Sequence, residues 1–95
     1  MAVLILSKVK GQTQEGYDRV RQAVEASIKK SPGFILHYAY PAEDCWIIAE
    51  VWHSKKEADD WFGMNVVPNL PAGIHPKRTY QDIQSIILPE ALNVL

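Results

Sequence analysis

The sequence is poor in several features that define large protein classes. Its 95 residues include one cysteine and three histidines, and ten Lys and Arg nearly balance eleven Asp and Glu. A single cysteine excludes an internal disulfide. The three histidines have none of the spacings of a preformed metal site, so we expect no metal. The near-neutral charge argues against nucleic acids and anionic membrane surfaces as partners.

Long apolar runs and cofactor motifs are also missing. The apolar stretch Ala2–Leu6 is far shorter than the roughly 20 residues that span a bilayer, and no basic segment precedes it. There is no Gly-rich phosphate loop, no GxSxG motif and no dinucleotide fingerprint, so we expect no bound cofactor. These absences predict a cytoplasmic protein without a membrane segment.

What is present is typical of one small α+β domain, with 47% apolar residues. Turn signals separate six segments: a strand in residues 2–10, a helix after Thr13, strands at Phe34–Tyr40 and Cys45–His53, a helix opened by a Ser54–Glu57 capping box, and a strand from about Arg78 to Leu88. The order β-α-β-β-α-β predicts a ferredoxin-like antiparallel sheet with strand order 4-1-3-2 and both helices on one face. We expect a single domain over 1–95, with its core in 2–88 and a C-terminal tail at 89–95.

The hairpin between the second and third strands predicts two different sheet faces. A turn at Pro41–Asp44 places Tyr40 opposite Cys45, and alternation assigns the remaining residues. The face that we expect the helices to cover carries Phe34, Leu36, Tyr38, Ile47, Ala49 and Val51. The other face carries Ile35, His37, Ala39, Trp46, Ile48, Glu50 and Trp52, with Leu4, Leu6 and Lys8 from the first strand. A monomer would leave this second face bare, so we expect a homodimer that closes two sheets around a cavity.

The second face supplies the candidate site residues. His37 lies beside Glu50, and a carboxylate there would hold the imidazole as a general base for a phenolic or α-keto proton. The alternative is a buried histidine that the carboxylate simply satisfies. The candidate residues for contact with a small aromatic ligand are Trp46, Ile48, Trp52, Trp61 and Tyr80, with interface and core packing as their alternative.

Three groups of residues carry a family resemblance. They are Pro32-Gly33-Phe34 at the start of the second strand, Glu50-x-Trp52-x-Ser54 at the end of the third, and Trp61-Phe62 in the next helix. Together, over roughly residues 2–88, the sequence resembles the antibiotic-biosynthesis-monooxygenase-like (ABM) branch of the dimeric α+β barrel proteins. The resemblance implies a cofactor-independent monooxygenase, in which a deprotonated aromatic or quinone-like substrate itself reacts with O2.

Other members of this group degrade haem, using an Asn on the first strand, a Trp on the second helix and a His shortly after it. Trp61 matches the tryptophan, but residues 2–10 contain no Asn, and Pro71 stands ten residues after Trp61, with His75 four residues later. Haem degradation is therefore disfavoured. A non-catalytic homodimer that binds small ligands or acts in a stress response is the main alternative. A closed void of about 300 Å³ or more touching His37 would favour the enzyme.

Overall fold

Four antiparallel strands form one sheet in the computed structural model, which describes residues 1–90. The central strands are β1 (Val3–Lys10) and β3 (Cys45–Trp52), and the edge strands are β2 (Phe34–Ala42) and β4 (Lys77–Asp82). The order β2-β3-β1-β4 is the predicted order 4-1-3-2 counted from the other edge, so the ferredoxin-like prediction is confirmed. The predicted tail at 89–95 lies mostly outside the described residues, and its boundary stays a prediction.

Two capped helices connect the strands. In α1 (Gln14–Lys30), the Thr13 hydroxyl accepts the Gly16 N–H at 3.0 Å. In α2 (Lys55–Trp61), Ser54 is the N-cap, because its Oγ accepts the Glu57 N–H at 3.2 Å. The Ser54 hydroxyl also donates to Glu57 Oε1 at 2.9 Å, so the two residues of the predicted capping box are bonded to each other. The chain continues from α2 as a π-helical turn, Phe62–Val66, and a 3₁₀ turn, Val67–Asn69. Within residues 1–90, no helix is long and apolar enough to cross a membrane.

The β2–β3 hairpin turns two residues later than predicted. Ala42, not Tyr40, pairs with Cys45, and Asp44 adopts a positive φ of 61° in the tight turn. Pro41 remains in the strand because β2 is an edge strand, where a missing N–H breaks no ladder. A shift of two residues leaves each side chain on its face, so His37 and Glu50 still share one, now directly opposite each other.

The face that carries His37 and Glu50 is covered by the helices, contrary to the expectation. Strand β1 shows why: Val3, Ile5, Ser7 and Val9 are buried, whereas Lys8 and Lys10 are exposed. Ile5 pairs with Glu50, so the buried side of β1 and the glutamate lie on one face. This covered face packs on α1 and α2 in a core of Val3, Ile5, Val24, Ile28, Trp52, Ala58 and Trp61.

The opposite side, the open face, carries Leu4, Leu6, Lys8, Leu36, Tyr38, Tyr40, Ile47, Ala49 and Val51. Leu4, Leu6 and Lys8 were predicted on the His37 side, which was wrong because their partners are Val51, Ala49 and Ile47. Phe34 lies on the side that the helices cover, as predicted, but it does not share a face with Leu36. A β-bulge between Phe34 and Leu36 moves its ring to the covered face, 5.5 Å from the Trp52 ring, and simple alternation does not allow for the extra residue.

Strand β4 is shorter than the predicted Arg78–Leu88. It begins at Lys77 and ends at Asp82, which pairs with Val3, the first residue of β1. One further bond follows, from the Ile83 N–H to the Ala2 carbonyl at 2.9 Å. The strand ends there because its partner strand has no residues left to pair with.

Candidate functional site

A cavity of about 230 Å³ lies between the covered face and the helices. Most of its wall is apolar and comes from α1, the sheet and the end of α2: Val20, Val24, Ile28, Ile48, Trp61 and Phe62. An apolar cavity of about 150 Å³ accepts benzene. The cavity is smaller than the void of about 300 Å³ that would favour an enzyme. It nevertheless touches His37 and has room for a substituted benzene or a small bicyclic ring.

His37 and Glu50 meet on the cavity wall as a hydrogen-bonded pair. His37 Nδ1 lies 2.8 Å from Glu50 Oε2, and Trp52 Nε1 donates to Glu50 Oε1 at 2.9 Å. Glu50 is only 7% exposed, and buried polar atoms need hydrogen-bond partners. His37 and Trp52 supply one such partner to each of its two oxygens. When Glu50 Oε2 accepts the Nδ1–H, a neutral imidazole has no hydrogen on Nε2, and Nε2 is an acceptor.

Tyr17 of α1, which was not among the site residues predicted from the sequence, completes this group. Its hydroxyl lies 2.6 Å from His37 Nε2, and its ring stacks on Trp46 with centroids 5.4 Å apart. Burial raises the pKa of the Tyr17 phenol; Arg21 opposes this rise and Glu50 adds to it. The phenol therefore keeps its hydrogen at neutral pH and donates it to His37. The sequence offered one sign of this role. Tyr17 carries a hydroxyl group and is the first of the apolar residues that recur at helical spacing along α1.

The predicted ligand-contact residues divide into two groups. Ile48 and Trp61 line the cavity, and Trp61 Nε1 donates to Ser27 Oγ at 3.0 Å. Trp52 is fully buried in the core beside the cavity, and Trp46 lies behind Tyr17 with its Nε1 buried and unpartnered among the described residues. Tyr80 lies outside the cavity, where its hydroxyl donates to Asp59 at 2.7 Å.

Arg78 brings a cation to the edge of the cavity. Its guanidinium lies 3.8 Å from the centre of the Phe62 ring, and Nη2 donates to Asp59 at 3.2 Å. Burial favours a higher pKa for Asp59, but hydrogen bonds from Tyr80, Lys55 and Arg78 outweigh it and lower the pKa. Within residues 1–90, no group of three or more His, Cys, Asp or Glu is placed to hold a metal ion.

Comparisons with known proteins give one family match and several similar folds. The model of the antibiotic biosynthesis monooxygenase family matches residues 2–66. The fold is similar to that of SnoaB, a cofactor-independent oxygenase from Streptomyces nogalater, with a TM-score of 0.70 and 14% identity over 94% of this chain and 98% of that one. No functionally curated protein is similar enough in sequence to give a significant match.

Two further solved structures share the fold. A monooxygenase from the gene ActVA-Orf6 of Streptomyces coelicolor, bound to nanaomycin D, has a TM-score of 0.59 and 20% identity, covering 94% of this chain and 92% of that one. A variant of MhuD with two manganese protoporphyrin IX molecules per active site has a TM-score of 0.64 and 14% identity, covering 92% and 99%. At these identities, the similarity establishes the fold and not the activity.

Proposed function

Because this chain belongs to the antibiotic biosynthesis monooxygenase family, we propose that it is a cofactor-independent monooxygenase of a small hydroxylated aromatic or quinone-like substrate. The observation that carries the proposal is the His37–Glu50 pair on the wall of an apolar cavity. The apolar wall holds a planar ring and excludes water. The carboxylate-supported imidazole takes up the proton that the substrate loses.

The proposed reaction needs O2 and no other oxidant. Loss of its phenolic proton makes the hydroxyarene electron-rich at the ring carbon opposite the oxygen, and that carbon reacts with O2 to form a hydroperoxide. The hydroperoxide loses water as the carbon–hydrogen bond breaks, and a quinone carbonyl remains. One oxygen atom enters the product and the other leaves as water, so the four electrons that O2 gains come from the substrate.

The solved neighbours support this chemistry over haem degradation. SnoaB is described as a cofactor-independent oxygenase, and the ActVA-Orf6 protein as a monooxygenase in complex with nanaomycin D. The MhuD variant binds a metalloporphyrin, but here the cavity is about 230 Å³ and His75 is exposed and absent from its wall. We therefore do not extend haem chemistry to this chain.

The proposal includes a homodimer formed through the open face and a cytoplasmic location. Tyr38 and Tyr40 are 53% and 47% exposed there, beside the aliphatic side chains of Leu4, Leu6 and Leu36. An apolar, tyrosine-rich patch of this kind is typical of a protein interface. The homodimer thus remains proposed on the face opposite to the one predicted from sequence.

Oxygen uptake tests the activity. The purified protein is mixed with mono- and bicyclic hydroxyarenes, and dissolved O2 is followed together with the quinone absorbance. His37→Ala should lower the turnover rate by about 10²-fold or more, and Glu50→Gln by less, because the amide still offers an acceptor oxygen. His53→Ala, an exposed histidine outside the cavity wall, is the matched control and should keep full activity.

A non-catalytic ligand-binding module is the competing function. In that case, hydroxyarenes bind the cavity and quench tryptophan fluorescence, but no substrate of the panel consumes O2. Binding without oxygen uptake, or full uptake in the folded His37→Ala variant, would reject the proposed enzyme mechanism.

A further inference from the structure

We propose that Tyr17 is the residue that touches the substrate and removes its proton, while its own proton passes to His37. This inference rests on the proposed function and assigns the contact with the substrate to a residue other than His37. Tyr17 becomes the catalytic residue, and His37 and Glu50 act through it.

Both nitrogens of His37 are already engaged, which is the first argument. Nδ1 lies 2.8 Å from Glu50 Oε2, and Nε2 lies 2.6 Å from the Tyr17 hydroxyl. A substrate in the cavity therefore meets no free imidazole nitrogen unless Tyr17 moves away. A general base must be within hydrogen-bond reach of the proton that it removes, and His37 Nε2 is shielded from the substrate by the phenol oxygen.

The Tyr17 oxygen itself has unused capacity. A phenol donates one hydrogen and also accepts, and Tyr17 uses its hydrogen toward His37. Among residues 1–90, no other side chain or backbone group is hydrogen-bonded to this oxygen, and Tyr17 is part of the cavity wall. The oxygen thus keeps acceptor capacity, and it belongs to a residue of the wall around the space where a hydroxylated ring would sit.

The surroundings of Tyr17 hold the phenol in place and set its charge. The ring is nearly parallel to Trp46, at 24°, and to His37, at 21°. The charged groups that face it are Asp18, Arg21 and Glu25 on α1, Glu50 on β3 and, when protonated, His37 on β2. Burial raises the pKa of Tyr17, so a free phenolate does not accumulate before the substrate arrives.

The transfer balances without any added group. The substrate O–H bond breaks and its hydrogen bonds to the Tyr17 oxygen, while the Tyr17 O–H bond breaks and its hydrogen bonds to His37 Nε2. Tyr17 ends as it began, a neutral phenol, and the positive charge rests on His37 beside the Glu50 carboxylate. The reverse transfer returns a proton to the peroxide oxygen, so the relay is ready for another turnover.

A chromogenic phenol tests the relay separately from oxygen chemistry. Para-nitrophenol is added without O2, at a pH about one unit below its pKa in solution, where roughly a tenth of the free probe is ionised. Its phenolate absorbance is read once tryptophan quenching shows that binding is complete. We expect the wild-type protein to raise the phenolate fraction several-fold over the free probe. Tyr17→Phe keeps the stacked ring and should return that fraction to the free-probe value. Tyr80→Phe removes a hydroxyl outside the cavity and should behave as wild type.

The outcomes separate this inference from the proposed function. If Tyr17→Phe ionises the bound probe as well as the wild type, His37 acts directly and the inference is overturned, even if hydroxyarenes still consume O2. If the wild type ionises the probe through Tyr17 but no hydroxyarene consumes O2, the relay stands and the monooxygenase proposal fails. Failure of the wild type to ionise the bound probe also overturns the inference. With an active substrate, Tyr17→Phe should lower kcat by about 10²-fold.

Discussion

The two faces of the sheet are both largely apolar, yet their polar groups differ. On the covered face, Ser7 and Glu50 are buried, and Glu50 is hydrogen-bonded to His37 and Trp52. On the open face, Tyr38 and Tyr40 stack on each other, with centroids 6.3 Å apart, at about half exposure. Buried polar groups must find partners within the fold, whereas half-exposed tyrosines suit contact with another protein surface. Hydrophobicity alone does not distinguish a face that holds a site from a face that binds a partner.

The largest effect is expected from the covered face. Trp52 is completely buried and donates to Glu50, so Trp52→Ala should lower the free energy of unfolding by about 3–5 kcal/mol. Urea unfolding measures the change, and the exposed neighbour variant His53→Ala should stay close to wild type. If Trp52→Ala leaves too little folded protein, Trp52→Phe keeps one aromatic ring but loses the N–H donor and part of the buried volume, and it should cost about 1–3 kcal/mol. A loss near zero in both variants would contradict the assignment of this face to the core.

A charge placed on the open face should instead affect association. Leu6 lies on central strand β1 between Ala49 and Thr79, so Leu6→Asp should give a folded monomer, because a buried unpaired carboxylate costs several kcal/mol. Light scattering at micromolar concentration measures the mass, and circular dichroism checks the fold. Lys10→Asp at the end of the same strand is the control and should remain a dimer.

Ile48→Asp is the corresponding change on the covered face, where Ile48 lines the cavity. This change should destabilise the subunit itself, with little dependence on protein concentration. A stable wild-type monomer, or a Leu6→Asp variant that stays dimeric, would remove the argument for the open face as an interface.

Much of the fold could be predicted because its signals are local. The Ser54–Glu57 capping box, the Pro32-Gly33 helix stop and the strand alternation each depend on a few neighbouring residues, and they led to the correct sheet order. The choice of face was wrong, and it placed Lys8 on the His37 side although Lys8 pairs with Ile47 on the opposite side. Lys8 and Lys10 were the better indicator of the exposed side of β1, because helices do not bury the side of a strand that carries lysines.

The site was only partly predictable because it joins residues from distant segments. His37 and Glu50 belong to one hairpin, so pairing arithmetic brought them to one face even with an error of two residues. Tyr17 is 20 positions from His37 and reaches it only through the packing of α1 on the sheet. Arg78 was predicted only as the approximate start of the last strand, and the position of Phe62 after α2 shows that it borders the cavity.

A smaller effect is expected at the rim of the covered face, where Asp59 binds Tyr80 and Arg78. Its pKa is lowered from 3.8, so the carboxylate adds stability above about pH 3.8, and that stability is lost as the pH falls through the lower folded-state pKa. Asp59→Asn should cost about 1 kcal/mol or less at neutral pH, because exposed ion pairs contribute little. Urea unfolding at several pH values should show the difference from wild type shrinking below pH 3.8; a difference that grows on acidification would contradict this.

The smallest effect is expected at His75, which a haem-degrading mechanism would need as an iron ligand. His75 is exposed, it is not part of the cavity wall, and the cavity of about 230 Å³ is too small for a porphyrin and its side chains without rearrangement of α1 or α2. Titration with haem should therefore show no Soret shift that saturates at one haem per subunit, and His75→Ala should not change the spectra. His53→Ala, at the end of β3, is the control for adventitious binding by a surface histidine. A saturating shift that disappears only in His75→Ala would show that the loop closes over the covered face, and it would favour a haem-binding site over the substrate cavity proposed for that face.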